Sequence, residues 1–471
     1  MAFVLLVLFL ILPLTVAFYN FYWKRRHLPP GPPPLPLLGN ALELGDAVDV
    51  YKVFNKWTAK YGPVFTFWLA EDPVVAITDY SLIKEMFIKD GDSYNGRYLW
   101  NHIFPYFTGI DDTHGVARTE GDEWRQLRRF SLQVMKNLGM GKSRMETEEN
   151  MAQFHHLKKH LCLIEELLTL PSGQLIAALP WLRHLPVFSS AFQELDKAFV
   201  DLFEYFDVQI KKKMEEQKRK FADGKGEPDK DRNNNQDYDC YLDAFLNEME
   251  AAKGRWDEKI FSIQPLRQTC FDLFLAGQDS TSSTLAFLVL YVLGHPDVQK
   301  KLHEELDRVL GEEFDGEISM AHKSLLPYTN AVINETQRLC DLIPLNLNHR
   351  VTKDVVINGI KILRGTIVTP EVCCVLADEK IFPRSKEFIP ERFIDSKGQL
   401  TRCDELIPFS VGGRKCLGET LARMELFLFT ANFFHKFRIS LADPKRPPAI
   451  FKKIPGVVVR PAEYMCRLER R

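Results

Sequence analysis

Phe409-Ser-Val-Gly-Gly-Arg-Lys-Cys-Leu-Gly418, followed at once by Glu419-Thr-Leu-Ala-Arg-Met-Glu-Leu-Phe-Leu-Phe429, decides how the rest of this chain is read. It sets one cysteine, Cys416, among glycines, with Arg414 two residues upstream and a helix-forming run immediately after. A thiolate is an acceptor and a soft metal ligand, and backbone N–H groups, a nearby arginine and a helix N-terminus all stabilise it. Gly412, Gly413 and Gly418 let the backbone approach something large and flat that a side chain would obstruct. An inert buried cysteine in a glycine turn is the commoner situation, so spacing has to decide.

The spacing is specific. Phe409, Gly412, Arg414, Cys416 and Gly418 resemble, position for position, the haem-binding signature Phe-x-x-Gly-x-Arg-x-Cys-x-Gly of the cytochrome P450 superfamily. The resemblance implies that Cys416 is the axial ligand of a haem iron and that Arg414 belongs to the haem-binding residues.

Composition allows this. At 471 residues the chain is long enough for a large core. Hydrophobic residues at 45% and charged residues at 26% are ordinary for a folded protein. A formal net charge of −2 gives no reason to expect nucleic acid as a partner. The nine cysteines are scattered, with one adjacent pair, Cys373-Cys374, and no C-x-x-C, which fits neither a disulfide scaffold nor a zinc site. From Ala2 to Trp23 there is no charged residue, enough for a bilayer-spanning helix of about 20 residues. Lys24-Arg-Arg26 follows and places the next segment in the cytosol. A cleaved signal peptide fits less well, because no basic residues precede the apolar run.

Leu28–Gly39 is proline-rich and cannot be helix or central strand. It reads as a stiff hinge and resembles the Pro-Pro-Gly-Pro segment of microsomal P450 enzymes. The expected organisation is a transmembrane anchor at 1–23, a basic and proline-rich hinge at 24–40, and one haem-thiolate monooxygenase domain at 41–471. Further expectations are a helix over Ala47–Tyr61, a hairpin of Val64–Trp68 and Pro73–Thr78, a short helix over Ser81–Asp90 and a long functional loop over 91–119. Ser190–Lys220 reads as helix and Asp223–Asp239 as a flexible surface connection. The fold class expected is mainly α with a small β-rich part, the cytochrome P450 fold. Between Gly141 and Trp181 the sequence departs from the family. Arg144–Leu170 reads as a single helical stretch where family members carry about one or two helices more. One core helix segment is expected to be missing after residue 141.

Trp124 and Arg128 stand at i, i+4 on one helix face, in the order Trp-Arg-Gln-Leu-Arg-Arg-Phe130. Alone they read equally well as a surface cation–π pair. The family resemblance assigns them hydrogen bonds to a haem propionate, for which an indole N–H and a guanidinium fork are suitable donors. Ile263–His295 reads as one long helix with Ala276-Gly-Gln-Asp-Ser-Thr281 at its middle. Glycine, Asp and hydroxyl residues are poor mid-helix choices, and the flanks are too apolar for an exposed helix, so these groups face a buried cavity. The resemblance makes Asp279 the acid and Ser280 the alcohol of a proton relay, with Ser280 standing where the family has threonine and Thr281 as an alternative hydroxyl.

Glu335-Thr-Gln-Arg338, with Pro390-Glu-Arg392-Phe downstream, resembles the family's structural Glu–Arg–Arg network. His349 and Arg350 precede a strand region, and the resemblance gives either of them a haem propionate.

The whole pattern is similar to microsomal cytochrome P450 enzymes, family 2 in character. That implies haem b (iron protoporphyrin IX), electrons from an NADPH-dependent flavoprotein reductase, and hydroxylation or epoxidation of lipophilic substrates such as fatty acids, steroids or xenobiotics. It also implies a single-pass protein of the endoplasmic reticulum membrane with its catalytic domain in the cytosol. The reductase is expected on the Cys416 side, drawn by Arg414, Lys415 and Arg423. Two alternatives stand beside it. A haem-thiolate isomerase or dehydratase often lacks the acid–alcohol pair that Asp279-Ser280 supplies, and a non-catalytic membrane haem protein would follow from the missing segment.

Overall fold

The computed structural model describes residues 14–45, 48–98, 113–138, 148–222, 238, 240–311, 314 and 316–471. In chain order the main elements begin with α1 (Val50–Tyr61), β1 (Val64–Leu69), β2 (Asp72–Ile77) and β3 (Gly96–Arg97). There follow α2 (Gly121–Leu138), α3 (Glu148–Thr169), α4 (Pro171–Ala178), α5 (Pro186–Ala222), α6 (Tyr241–Ala252), α7 (Ile263–Gly294), α8 (Pro296–Leu310) and α9 (Pro327–Cys340). Then come β4 (His349–Arg350), β5 (Val355–Ile357), β6 (Ile360–Ile362), β7 (Ile367–Pro370), α10 (Glu419–Lys436) and β8 (Phe437–Leu441). The chain is mainly helical, with a small strand part.

Local chemistry explains these boundaries. α1 buries Val50, Phe54 and Trp57, one face at i, i+4, i+7, and stops at Gly62, whose φ of 94° only glycine adopts without strain. Pro296 and Pro327 open α8 and α9 in the first turn, where a missing N–H costs nothing. The expected Ser81–Asp90 helix is instead an α-helical turn, Tyr80–Ile83, that widens into a π-helical turn, Lys84–Lys89. The expected hairpin is present, its strands at Val64–Leu69 and Asp72–Ile77 shifted by one residue from the expected ends, with Ala70 in the turn at φ 54°.

Two compact units are formed, one of Met1–Gly96 with Asp279–Arg471, the other of Arg97–Gln278. In the first, a five-stranded sheet runs in the order β1-β2-β7-β4-β3. β2 and β7 pair in parallel, Val74 opposite Ile367, although they lie far apart in the sequence, at Asp72–Ile77 and Ile367–Pro370. One core of this unit packs Phe287 and Tyr291 of α7 against Leu302 and Leu306 of α8, Val332 of α9, and Phe427 and Phe434 of α10. A second core joins Val75, Ile77 and Val368 of the sheet to Phe87 and to Val411 of the cysteine stretch. In the other unit, Leu157 and Ile164 of α3 pack on Phe199, Leu202 and Phe203 of α5 and on Phe271. Leu127 of α2 packs with Ile210, Phe245 and Leu266.

Three expectations fall wholly or partly outside the described residues: residues 1–13 of the anchor, 99–112 of the long loop, and 223–237 and 239 of the connection. Residues 139–147, where the core segment was expected to be missing, lie outside them as well. Among the described residues no helix is long and apolar enough to cross a membrane.

Candidate active site

Two positive-φ residues in close succession, Ser410 at 59° and Gly412 at 75°, bend the cysteine stretch back on itself. The turn closes with hydrogen bonds from Lys415 N–H to the Gly412 carbonyl (3.2 Å) and from Cys416 N–H to the Phe409 carbonyl (2.9 Å). Gly412 lies so close to the π-helical turn that an added Cβ would stand 1.9 Å from the Phe87 carbonyl oxygen. Cys416 is exposed and in no disulfide. α10 starts three residues later, with Gly418 as its N-cap, so the helix's positive end lies next to the sulfur-bearing residue and favours a thiolate there.

Arg414 is buried, 6% exposed, and its Nε donates to the Asn95 carbonyl at 2.8 Å. His349 is buried as well, and its Nδ1–H donates to the Tyr94 carbonyl at 2.7 Å. Two consecutive carbonyls thus hold a donor side chain from β4 and another from the cysteine stretch. Phe87 meets the His349 ring edge-on at 4.9 Å and fixes its plane. Arg350 is half-buried beside it in the same strand. Burial removes Arg414 from the expected surface patch. Lys415 and Arg423 remain at the surface, and both pair with Glu419, at 3.4 and 2.9 Å.

Helix α7 presents an open stretch at its middle. Ala276 and Gly277 are exposed, and among the described residues no atom from outside the local helix lies within 4 Å of where a Gly277 Cβ would be. Asp279 is 4% exposed, and its Oδ2 has no hydrogen-bond partner among the described residues. Ser282 donates to the Asp279 carbonyl (3.3 Å) and Thr284 to the Ser280 carbonyl (2.8 Å). Such back-bonding loosens the local helix ladder. Thr281 points elsewhere: its hydroxyl is hydrogen-bonded to Glu425 of α10, whose carboxyl burial pushes up. Consecutive residues on a helix, Ser280 and Thr281 project about 100° apart.

Glu335 is fully buried and accepts from Arg338 Nε and a terminal nitrogen (2.7 and 2.8 Å), from Arg392 Nε (3.1 Å) and from the Ile389 N–H (3.0 Å). Arg338 also donates to the Leu376 carbonyl, and Arg392 to the Pro383 carbonyl. With every partner supplied, this desolvated network ties α9 to the Pro390–Phe393 turn.

In the second unit, Trp124 is buried on α2, with the Arg128 guanidinium 5.9 Å from its ring centroid. The sequence reading missed Arg97. It is 6% exposed, and burial, with the neighbouring Arg128 charge, pushes its guanidinium down to about 10. Two crowded guanidiniums with an indole N–H beside them form a donor set for an anion, and carboxylates fit it. Gly96-Arg97 carries no periodic or motif signal that would have singled it out.

Residues 29–161 and 148–468 match the model of the family "Cytochrome P450". The chain belongs to the cytochrome P450 family. Its match falls in two stretches that overlap at 148–161, within the expected Arg144–Leu170 helix. Among curated relatives it is 34% identical to cytochrome P450 2H1 of Gallus gallus, over 98% of this chain and 97% of the relative. It is 35% identical to cytochrome P450 2C16 of Oryctolagus cuniculus (93% and 94%) and 33% to cytochrome P450 2C44 of Mus musculus (93% and 93%). Proteins of this family bind haem through a cysteine thiolate, and haem b is this chain's cofactor. The protein is an oxidoreductase, a haem-dependent monooxygenase.

In the first unit the cysteine stretch fits that group, with an exposed cysteine at a helix N-terminus held by a backbone bond to Phe409. Within the other unit, buried Arg97 beside half-buried Arg128 is suited to carboxylates.

Proposed function

We propose that the protein inserts one oxygen atom of O2 into lipophilic substrates of the fatty acid, steroid or xenobiotic class, using electrons from an NADPH-dependent flavoprotein reductase. Cys416 carries the proposal, as an exposed cysteine held by its own backbone bond to Phe409 at the head of α10.

When bound, haem supplies one-electron and dioxygen chemistry, and a cysteinate ligand favours O–O cleavage. The chain's own residues do the rest. Cys416 would hold the iron as a thiolate, favoured by the α10 dipole. Arg97, Trp124, Arg128, His349, Arg350 and Arg414 bind and orient the haem carboxylates. Asp279 takes protons from the polar side of α7, and the Ser280 hydroxyl passes them into the cavity. Serine keeps the hydroxyl of a threonine but lacks the methyl that restricts its rotamer, so coupling of oxygen use to product is looser. Glu335, Arg338 and Arg392 hold the scaffold and take no part in the chemistry.

The uncharged Ala2–Trp23 run anchors the protein in the endoplasmic reticulum membrane, and exposed Phe18, Tyr19, Tyr22 and Trp23 extend its apolar surface. The reductase docks beside Lys415 and Arg423 on the Cys416 side. Reconstituting the purified protein with NADPH and a flavoprotein reductase tests the activity. Substrate-dependent oxygen uptake with oxygenated product is expected. Haem-loaded protein that turns over substrate without consuming NADPH or O2 would make it an isomerase or dehydratase.

A further inference from the structure

α3 and α5 pack along one side of the second unit, through Leu157 and Ile164 against Phe199 and Leu202. On the solvent edge of that seam, His156 and His160 stand one turn apart on α3. Their Nε2 atoms are 3.3 Å from each other, with ring centroids 4.5 Å apart. Asp201 of α5 lies behind them, its Oδ2 3.8 Å from the other nitrogen of His160, Nδ1. That nitrogen is buried and makes no hydrogen bond among the described residues. In front is an open hollow of about 460 Å³ lined by His156, Asp201, Glu204, Tyr205, Val208 and Gln209. Nothing in the monooxygenase reaction uses these groups.

We propose that His156 and His160 form a binding site for a divalent transition metal of the Zn²⁺, Ni²⁺ or Cu²⁺ class, with Asp201 orienting His160. Histidines at i, i+4 on one helix face are a recurrent zinc-binding pair. Two imidazole nitrogens each about 2.0–2.1 Å from a tetrahedral ion are about 3.3 Å from each other. The ring nitrogens are already at that separation, so binding requires little rearrangement. Imidazole ligands select this class of ion over Mg²⁺ and Ca²⁺, which prefer oxygen donors. Among the described residues no cluster of three or more His, Cys, Asp or Glu side chains surrounds a single ion position, so water from the hollow completes the coordination.

Tautomers give Asp201 its role. If both rings bind through Nε2, both carry their proton on Nδ1, and the His160 Nδ1–H then has the Asp201 carboxylate as its acceptor. Such a carboxylate fixes the ring and raises its basicity. Lys159 and Lys197 bring positive charge towards His160, and Asp201 offsets it. A bound ion would hold the two rings of α3 together, with Asp201 of α5 facing His160 from the neighbouring helix.

Without metal, the same 3.3 Å separation accommodates one N–H···N hydrogen bond between the rings, and calorimetry separates the two cases. Full-length, haem-loaded protein is titrated with Zn²⁺ alone, alongside His156→Ala, His160→Ala, Asp201→Asn and, as a control about 100° round the helix, His155→Ala. One equivalent of zinc is expected to bind the parent protein and His155→Ala equally. Either ligand variant should lose the site or bind at least about tenfold more weakly, and Asp201→Asn should weaken it about tenfold at unchanged stoichiometry. Zinc should also raise the thermal midpoint of the parent but not of the ligand variants, whose metal-free midpoints confirm folding. No stoichiometric zinc in the parent, or equal loss in His155→Ala, would overturn the proposal.

Discussion

A methyl group at position 412 would stand 1.9 Å from the Phe87 carbonyl, on a backbone whose φ of 75° disfavours any side chain. Gly412→Ala should therefore fold poorly around the cysteine turn and lose most of its haem, read as the ratio of haem to protein absorbance after purification. Gly413→Ala is milder, because its Cβ would meet only the flexible end of the Asn95 side chain. On the oxygen side, Ser280→Ala should raise peroxide released per NADPH consumed, while Thr281→Ala should change it little, since Thr281 is engaged with Glu425. Unchanged coupling in Ser280→Ala would remove that hydroxyl from the relay. Cys416, Asp279 and Glu335 could be singled out as candidates in the sequence because each sits in a short pattern of fixed spacing. Arg97 was not, because its significance comes from Arg128, thirty-one residues on, through a contact that no local pattern encodes.

Helices were read more faithfully than anything else, because a 3.6-residue period repeats many times along elements as long as α5 and α7. The turn of Lys84–Lys89 was misread as ordinary helix, since the widened π geometry leaves the apolar period nearly unchanged. Between elements, the Glu335 network is the fastening most open to test. Glu335→Gln leaves buried Arg338 and half-buried Arg392 without their counter-charge and should cost about 3–5 kcal/mol, measured by denaturant unfolding. Arg392→Lys should also destabilise the protein, because a point charge cannot replace the fork that reaches Glu335 and two carbonyls.

Within the second unit, Asp272 of α7 accepts from the Ala117 N–H (2.9 Å) and from Gln268 (3.1 Å), beside Arg118. Burial pushes its carboxyl up from 3.8 to about 6 despite those partners. The folded state therefore holds the proton more tightly than the unfolded chain. Its stabilising contribution is full below about pH 4, declines as pH rises through about 6, and is flat above. Asp272→Asn should remove that decline, so the stability difference between parent and variant changes between about pH 4 and 6 and is constant at higher pH.

At the scale of the molecule, family membership, haem and oxygenase chemistry could be inferred from the sequence because the motifs fall in the expected order along the chain. The non-local pairing of β2 with β7, and the meeting of His349 and Arg414 on consecutive carbonyls, could not. The chain partners are far apart in sequence, and only tertiary structure joins them. The anchor is tested by alkaline carbonate extraction: full-length protein should stay with the membrane pellet, and complete release would remove the transmembrane assignment. The central claim is that Cys416 ligates the haem iron, and the carbon-monoxide difference spectrum of the dithionite-reduced protein tests it most directly. The parent should give the red-shifted band of a thiolate-ligated haem, and Cys416→His should shift it to the imidazole type. A parent spectrum already of the imidazole type, or one unchanged by the Cys416→His substitution, would contradict the account.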